Sequence, residues 1–155
     1  MSLHPSNLED HLGYWLRCLS NFVSHSFASK LEVQGVSVAQ WVVLRTLYDK
    51  KALSLNEAAE AVGVDKSSLS RMIDRLVQKE LVMRQDGINR RTLKLMLTPT
   101  GRKLVPQLAK LADANDKAFF QSLPVKKRQQ FLDTIQALLV ANGWDIATHG
   151  KNRME

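Results

Sequence analysis

The sequence predicts a mainly α-helical fold that carries one short β-hairpin, and three observations support this. Apolar stripes at spacings of three and four occupy both ends of the chain. Between them, two short helical patterns are separated by Gly63 and Val64. Directly after these, "LVMRQ" and "TLKLML", two runs of alternating character, flank "DGINRR".

The first helix is read from Leu8, Leu12, Trp15, Leu16, Leu19, Phe22, Val23 and Phe27, one continuous apolar stripe whose aromatic members are expected in core or interface packing. In the second, Ser37 is the N-cap and Val38, Trp41, Val42, Leu44, Leu47 and Tyr48 form a broad buried face. Lys50, Lys51 and Ala52 break that pattern. Ser54 and Glu57 then have the spacing of a capping box, opening a short helix that runs through Val62 and stops at Gly63, which tolerates a left-handed backbone. Asp65 caps the next helix, with Leu69, Met72, Ile73, Leu76 and Val77 facing inward and Ser67, Arg71, Asp74, Arg75 and Gln78 facing outward. Ala58, Ala59 and Ala61 let this pair cross closely as a helix-turn-helix. The hairpin around Asp86-Gly87 is the wing. Thr98-Pro99 starts a helix bearing Leu104, Leu108, Leu111, Phe119 and Phe120. Pro124 precedes a last helix with Phe131, Leu132, Ile135, Leu138 and Leu139, ended by Gly143, and the polar residues 148–155 are expected to be a flexible tail.

At 155 residues, 45% hydrophobic and 24% charged, the chain is long enough for one compact domain or two packed lobes without disulfides. Cys18 has no second cysteine to pair with. No apolar run approaches the ~20 residues of a membrane span. "MSLHPSN" lacks the basic start and apolar centre of an export signal, so a reducing cytoplasm is the expected location. A net charge of +7 favours a polyanionic partner.

That charge is concentrated. Between Asp65 and Lys94, eight basic residues oppose four acidic ones, an excess of +4. A helix meets the major groove best through its N-terminal end, where Lys66, Ser67, Ser68, Ser70 and Arg71 stand, with Arg75 one turn on. Serine hydroxyls suit close contact with bases or phosphates, and an arginine can address guanine with two parallel bonds. Arg90 and Arg91 at the wing can enter a narrow A·T-rich minor groove. The helix tip and the wing are thus expected to read adjacent grooves of one double-stranded DNA.

Other classes fare worse. His4, His11, His25 and His149 lack metal-ligand spacing, no P-loop, dinucleotide fingerprint or nucleophile elbow is present, and no cofactor is expected. A winged-helix adaptor that binds protein is the remaining rival, which the basic wing opposes.

The sequence resembles the multiple antibiotic resistance regulator (MarR) family of bacterial winged-helix transcription factors. The likeness runs from "LGYWLR" through "VAQWVVLRTLYD" and "LNEAAEAVGVDKSSLSRMIDRLVQKELVMR" to "NRRTLKLMLTPTG" and the final helix. Its most specific portion is the wing, where Arg91, Leu97, Thr98 and Gly101 fall on the family pattern Asp-x-Arg, a strand, then Leu-Thr-x-x-Gly. Asn89 stands where the family has aspartate; it can hydrogen-bond a guanidinium but carries no charge.

The resemblance implies a winged helix-turn-helix lobe over about residues 37–98 and a helical dimerisation lobe from about 7–34 and 99–142. It also implies a homodimer, with the first, fifth and sixth helices interdigitated, that binds a pseudo-palindromic operator as a repressor. The terminal apolar stripes, longer than a small winged lobe can bury, agree with an interface. Many family members release DNA when a small, often aromatic, acid enters a cleft between the lobes, for which His11, Trp15, Trp41 and Arg45 are the candidates here. A peroxide-sensing subgroup carries a cysteine where this chain has Gly13. Cys18 lies more than a turn further on and is expected to be a buried small residue, with thiol-based sensing through it as the alternative.

Overall fold

The computed structural model describes residues 4–85 and 93–146. In chain order the elements are α1 (Leu12–Glu32), α2 (Val38–Lys50), β1 (Leu53–Ser54), α3 (Leu55–Val62), α4 (Lys66–Gln78), β2 (Val82–Gln85), β3 (Lys94–Leu97), α5 (Pro99–Phe120) and α6 (Val125–Ala141). The strands form one antiparallel sheet in the order β1-β3-β2, with Val82 opposite Leu97 and Gln85 opposite Lys94. Strands β2 and β3 are those expected of the wing. Strand β1, two residues long, is not foreseen by a rule that looks for runs of four or more.

Helix boundaries follow local chemistry. The Ser37 hydroxyl accepts from Gln40 N–H at 3.1 Å while Gln40 Oε1 accepts from Ser37 N–H at 3.2 Å, so α2 opens on a full capping box. The serine half of the box expected at α3 is in place, Ser54 accepting from Glu57 N–H at 3.1 Å. Gly63, at φ 78°, ends α3 in the left-handed conformation. Asp65 then caps α4 twice, accepting from Ser68 N–H at 2.8 Å and from the Ser68 hydroxyl at 2.6 Å.

The core lies among α2, α3, α4, the sheet and the first half of α5. Leu44, Leu47, Leu69, Ile73, Leu76, Leu95 and Leu108 are fully enclosed there. Ala58 and Ala59 bring α3 onto α4 without a gap. One joint fastens the sheet to α5: Thr98 N–H donates to Leu81 carbonyl at 3.1 Å, and Thr98 Oγ1 donates to Glu80 carbonyl at 2.6 Å while accepting from Gly101 N–H at 3.0 Å. A Cβ on Gly101 would stand 2.1 Å from the Leu81 carbonyl oxygen.

Helix α1 runs antiparallel to α5. The Phe22 and Phe119 rings meet edge to face at 5.3 Å. Asn115, 2% exposed, accepts from Ser26 Oγ and Lys30 Nζ at 2.9 Å each and donates to Val23 carbonyl at 3.2 Å. This pairing leaves the first half of α1 beyond the end of α5, an arm of about 15 Å at 1.5 Å per residue.

Two expectations are corrected here. The stripe from Leu8 is not one helix: Leu8–Asp10 is a 3-10 turn and His11 is extended (φ −94°, ψ 117°). Asp10 accepts from Asn7 N–H at 3.2 Å and His11 Nδ1 donates to Asn7 carbonyl at 2.9 Å, local bonds that compete with helix formation. Cys18, expected to be buried, is exposed, because the arm that carries it has no wall beside it in the same chain.

Two outcomes test this description. Gly101→Ala forces the Leu81 carbonyl or α5 to move, so urea unfolding should show a loss of about 2 kcal/mol or more; wild-type stability would refute the joint. The Ser68 hydroxyl and N–H hold the Asp65 carboxyl below the ordinary aspartate value. Its capping contribution is therefore complete above that value, about 3.9, and is lost as pH falls through the lower folded value. A carbon-13 titration of Asp65 should have its midpoint below 3.9, and a midpoint at or above it would remove the charged cap.

Candidate nucleic-acid interface

Asp65 fixes where α4 begins and thereby which residues stand at its free end. Lys66, Ser67 and Arg71 are exposed there, and Ser70 is half-buried. Residues Ser67, Arg71, Asp74 and Gln78 share one line along the helix surface. Ser68 is drawn into the cap instead: its hydroxyl donates to Asp65 and accepts from Arg71 at 3.4 Å, which steadies the arginine.

The electrostatics of this face depend on residues that the sequence did not single out as a site. Asp74 lies three residues beyond Arg71 on the outward line and would repel a phosphate. Arg84 of β2 forms an ion pair with it. On the central strand β3, Lys94 lies 3.4 Å from Glu57 and holds the glutamate carboxyl below its usual value. Both pairs tie the hairpin strands to the helix-turn-helix. Each basic partner lies within the charge excess counted above, but a count does not show which charges meet. Arg90, Arg91 and Asn89, with the turn expected at Asp86-Gly87, lie outside the described residues; of the strands that flank them, β2 packs on α4.

The candidate effector residues do not converge within one chain. The His11 ring bonds to backbone at the 3-10 turn, and Trp15 Nε1 donates to Glu9 carbonyl at 2.8 Å with its ring 52% exposed on the arm. Trp41 is half-buried against Phe27, ring centroids 6.3 Å apart. Trp15 is twelve residues before Phe27, about 18 Å along α1. Arg45 is paired with Asp49 and lies over the Tyr48 ring at 5.6 Å, and Arg102 approaches the same ring at 5.1 Å.

A cleft of about 620 Å³ opens elsewhere, between the last turns of α1, the α1–α2 turn and the C-terminal half of α4. His25, Glu32, Gln40, Arg75 and Lys79 line it. Arg75, expected on the DNA-facing side, thus also borders this cleft. Lys79 Nζ donates to the Gly35 carbonyl and to Gln40 Oε1, joining the end of α4 to the turn before α2.

Among the described residues no helix is long and apolar enough to cross a membrane, and no cluster of three or more His, Cys, Asp or Glu could hold a metal ion.

Comparison with known proteins agrees with this architecture. The MarR family profile matches residues 36–92. The HTH-type transcriptional repressor MdtR of Bacillus subtilis is 36% identical over 87 residues, covering 56% of each chain. A MarR-family transcriptional regulator from Silicibacter pomeroyi superposes with a TM-score of 0.69 at 27% identity, covering 87% of this chain and 92% of that one. BpsR of Bordetella bronchiseptica, whose DNA binding is regulated by 6-hydroxynicotinic acid, superposes with a TM-score of 0.76 at 26% identity over 87% and 97% of the two chains. With its helix-turn-helix, its three-stranded sheet and the long helices on either side, the chain is similar to MarR-family winged-helix transcriptional regulators, whose family model matches its residues 36–92.

Proposed function

We propose that this protein is a homodimeric repressor that binds a pseudo-palindromic operator and leaves it when a small organic acid binds. The observation that carries the reading is the exposed N-terminal end of α4 with Lys66, Ser67 and Arg71, on a helix whose Asp74 is paired with Arg84 of β2. Ser67, Ser70 and Arg71 read base edges in the major groove, and Lys66 and Ser68 lie next to phosphate. Arg75 follows the groove wall. Arg90 and Arg91, proposed from sequence, enter the flanking minor groove.

The exposed apolar surface supports the dimer. Leu12 is 69% and Phe22 70% exposed on α1, and α6 buries no residue although Leu132, Leu138 and Leu139 lie along it. Apolar surface on this scale is expected to be covered by another chain, and twofold pairing through α1, α5 and α6 would set two α4 helices on one side of the assembly. The 36% identity to a repressor favours repression, by a dimer that occludes the promoter. Regulation of BpsR by an aromatic acid favours ligand release. A pocket made of His11, Trp15, Trp41 and Arg45 would draw its first two members from the partner's arm.

Gel-shift titration against the chain's own promoter region should show affinity falling at least about a hundredfold between roughly 50 and 200 mM salt. Arg71→Ala should cost ~1–3 kcal/mol and relax sequence preference. Salt-independent binding, or an unchanged curve for the variant, would sink the assignment. Sedimentation of the wild-type protein at micromolar concentration should give a dimer. Leu12→Asp should shift it toward monomer, and a wild-type monomer would refute the pairing.

A further inference from the structure

We infer that the outer side of α5, continued onto the start of α6, is a second DNA-contact surface, which holds the backbone of a duplex separate from the one met by α4. The inference goes beyond the operator reading above: the surface uses no part of α4, and only the bridging of two duplexes rests on that reading.

Three observations carry it. The first is charge. Residues 99–132 hold seven basic residues against two acidic ones, Asp113 and Asp116, an excess of +5. That is larger than the +4 of residues 65–94, and the two segments together more than account for the net charge of +7. The second is placement. Lys103, Lys110 and Lys117 recur at a spacing of seven along α5, so they form a nearly straight row, about 10.5 Å from one to the next. Four residues separate α5 from α6, whose first turn adds Lys126, Lys127 and Arg128. All six are exposed, and among the described residues none has an ion-pair partner. The third is direction. Gly101, Val105 and Leu108 mark the buried side of α5, and Gly101 lies on Leu81, just past the end of α4. At about 100° per residue, Lys110 stands diametrically across the helix from Gly101, so the row looks away from the winged lobe. Lys117 is about 28 Å along α5 from the Thr98 joint, more than three Debye lengths of about 8 Å. The row and the end of α4 thus face different sides of the protein, and one stiff duplex does not meet both.

The chemistry of the row selects its partner. Duplex DNA carries one charge for about every 1.7 Å of its axis, so three lysines spread over about 21 Å face phosphate at any register. Between the lysines the same side carries Pro106, Gln107, Asp113 and Ala114. These offer no aromatic ring on which an unpaired base could stack and no long apolar chain to enter a bilayer. Asp113 lowers the charge between Lys110 and Lys117 without reversing it. Lysine is a compact point charge rather than a bidentate fork, which suits phosphate contact that carries no sequence information. Lysine is also depleted at the cores of protein interfaces, so the row stays outside the pairing proposed for the homodimer, and twofold symmetry supplies two rows.

The test uses the full-length protein, a duplex of its own promoter region fixed to beads, and a fluorescent duplex of shuffled sequence as the second segment. Wild-type protein loaded on the beads should capture the shuffled duplex at about 50 mM salt and release it by about 200 mM. Lys103→Gln, Lys110→Gln and Lys117→Gln combined should cut capture about tenfold or more, while gel-shift affinity for the promoter stays within about twofold of wild type. The same three positions changed to arginine should keep capture, because charge is what acts there. No capture by the wild type, equal capture by the glutamine variant, or a parallel loss of its promoter affinity would overturn the inference. Recruitment to vesicles of phosphatidylserine and phosphatidylcholine that equals DNA capture and is lost in the glutamine variant would also overturn it, in favour of a membrane surface. If the promoter is bound no better than shuffled DNA, yet the glutamine changes weaken binding of the shuffled duplex and Arg71→Ala does not, the row stands and the operator reading fails. Specific promoter binding without a captured second duplex keeps the operator reading and removes the row.

Discussion

The carbonyl of Leu81 is the point on which the architecture turns. It receives the Thr98 N–H and lies against the bare Cα of Gly101, so the end of α4, the start of β2 and the first turn of α5 meet at one peptide. A methyl group cannot fit between that oxygen and α5. The hydroxyl of Thr98 completes the joint by donating to Glu80 and accepting from Gly101, which caps α5 at the same place. Any rotation of α5 is therefore passed to the hairpin base and to α4 without an intervening flexible segment.

The same economy appears in the charges. Asp65 sets the start of α4, holds Ser68, and through Ser68 steadies Arg71, so a single carboxylate decides both where the helix begins and how its arginine is presented. Arg84 removes the one acidic group on the outward line, and Lys94 ties Glu57 to β3. These pairs are exposed and contribute little to stability. Their effect is on the sign of the potential along α4, where Arg84 and Lys94 are paired with carboxylates and the segment still carries an excess of +4.

Most of the fold was legible because its boundaries are set by contacts within three or four residues. Ser37, Ser54, Asp65, Gly63 and Thr98 each announce a helix end through their own side chain or backbone freedom, and all five act as read. What was not legible depends on residues far apart. Leu53 and Ser54 are a strand only because β3 lies beside them; Asp74 meets Arg84 only because the chain turns between them; Cys18 is exposed only because α5 ends before reaching it. The cleft is the extreme case. Its walls come from residues 25 to 40 and 75 to 79, and Gln40, which the sequence offers merely as one more residue of α2, has its significance only when Lys79 arrives from α4.

Helix α1 joins these levels. Its second half is locked to α5 by the buried Asn115, which bonds to Val23, Ser26 and Lys30 and so permits one register between the helices. Its first half projects past that contact with Leu12, Trp15, Leu16 and Phe22 uncovered. In the proposed homodimer that arm belongs to the partner's surface as much as to its own. The last turns of the same helix form one wall of the cleft against α4. Because Asn115 fixes its register, α1 can tilt but not slide against α5. In the proposed homodimer, two α4 helices linked through this helix pair would change their separation together, which is the geometric quantity that fitting two half-sites of one DNA duplex requires.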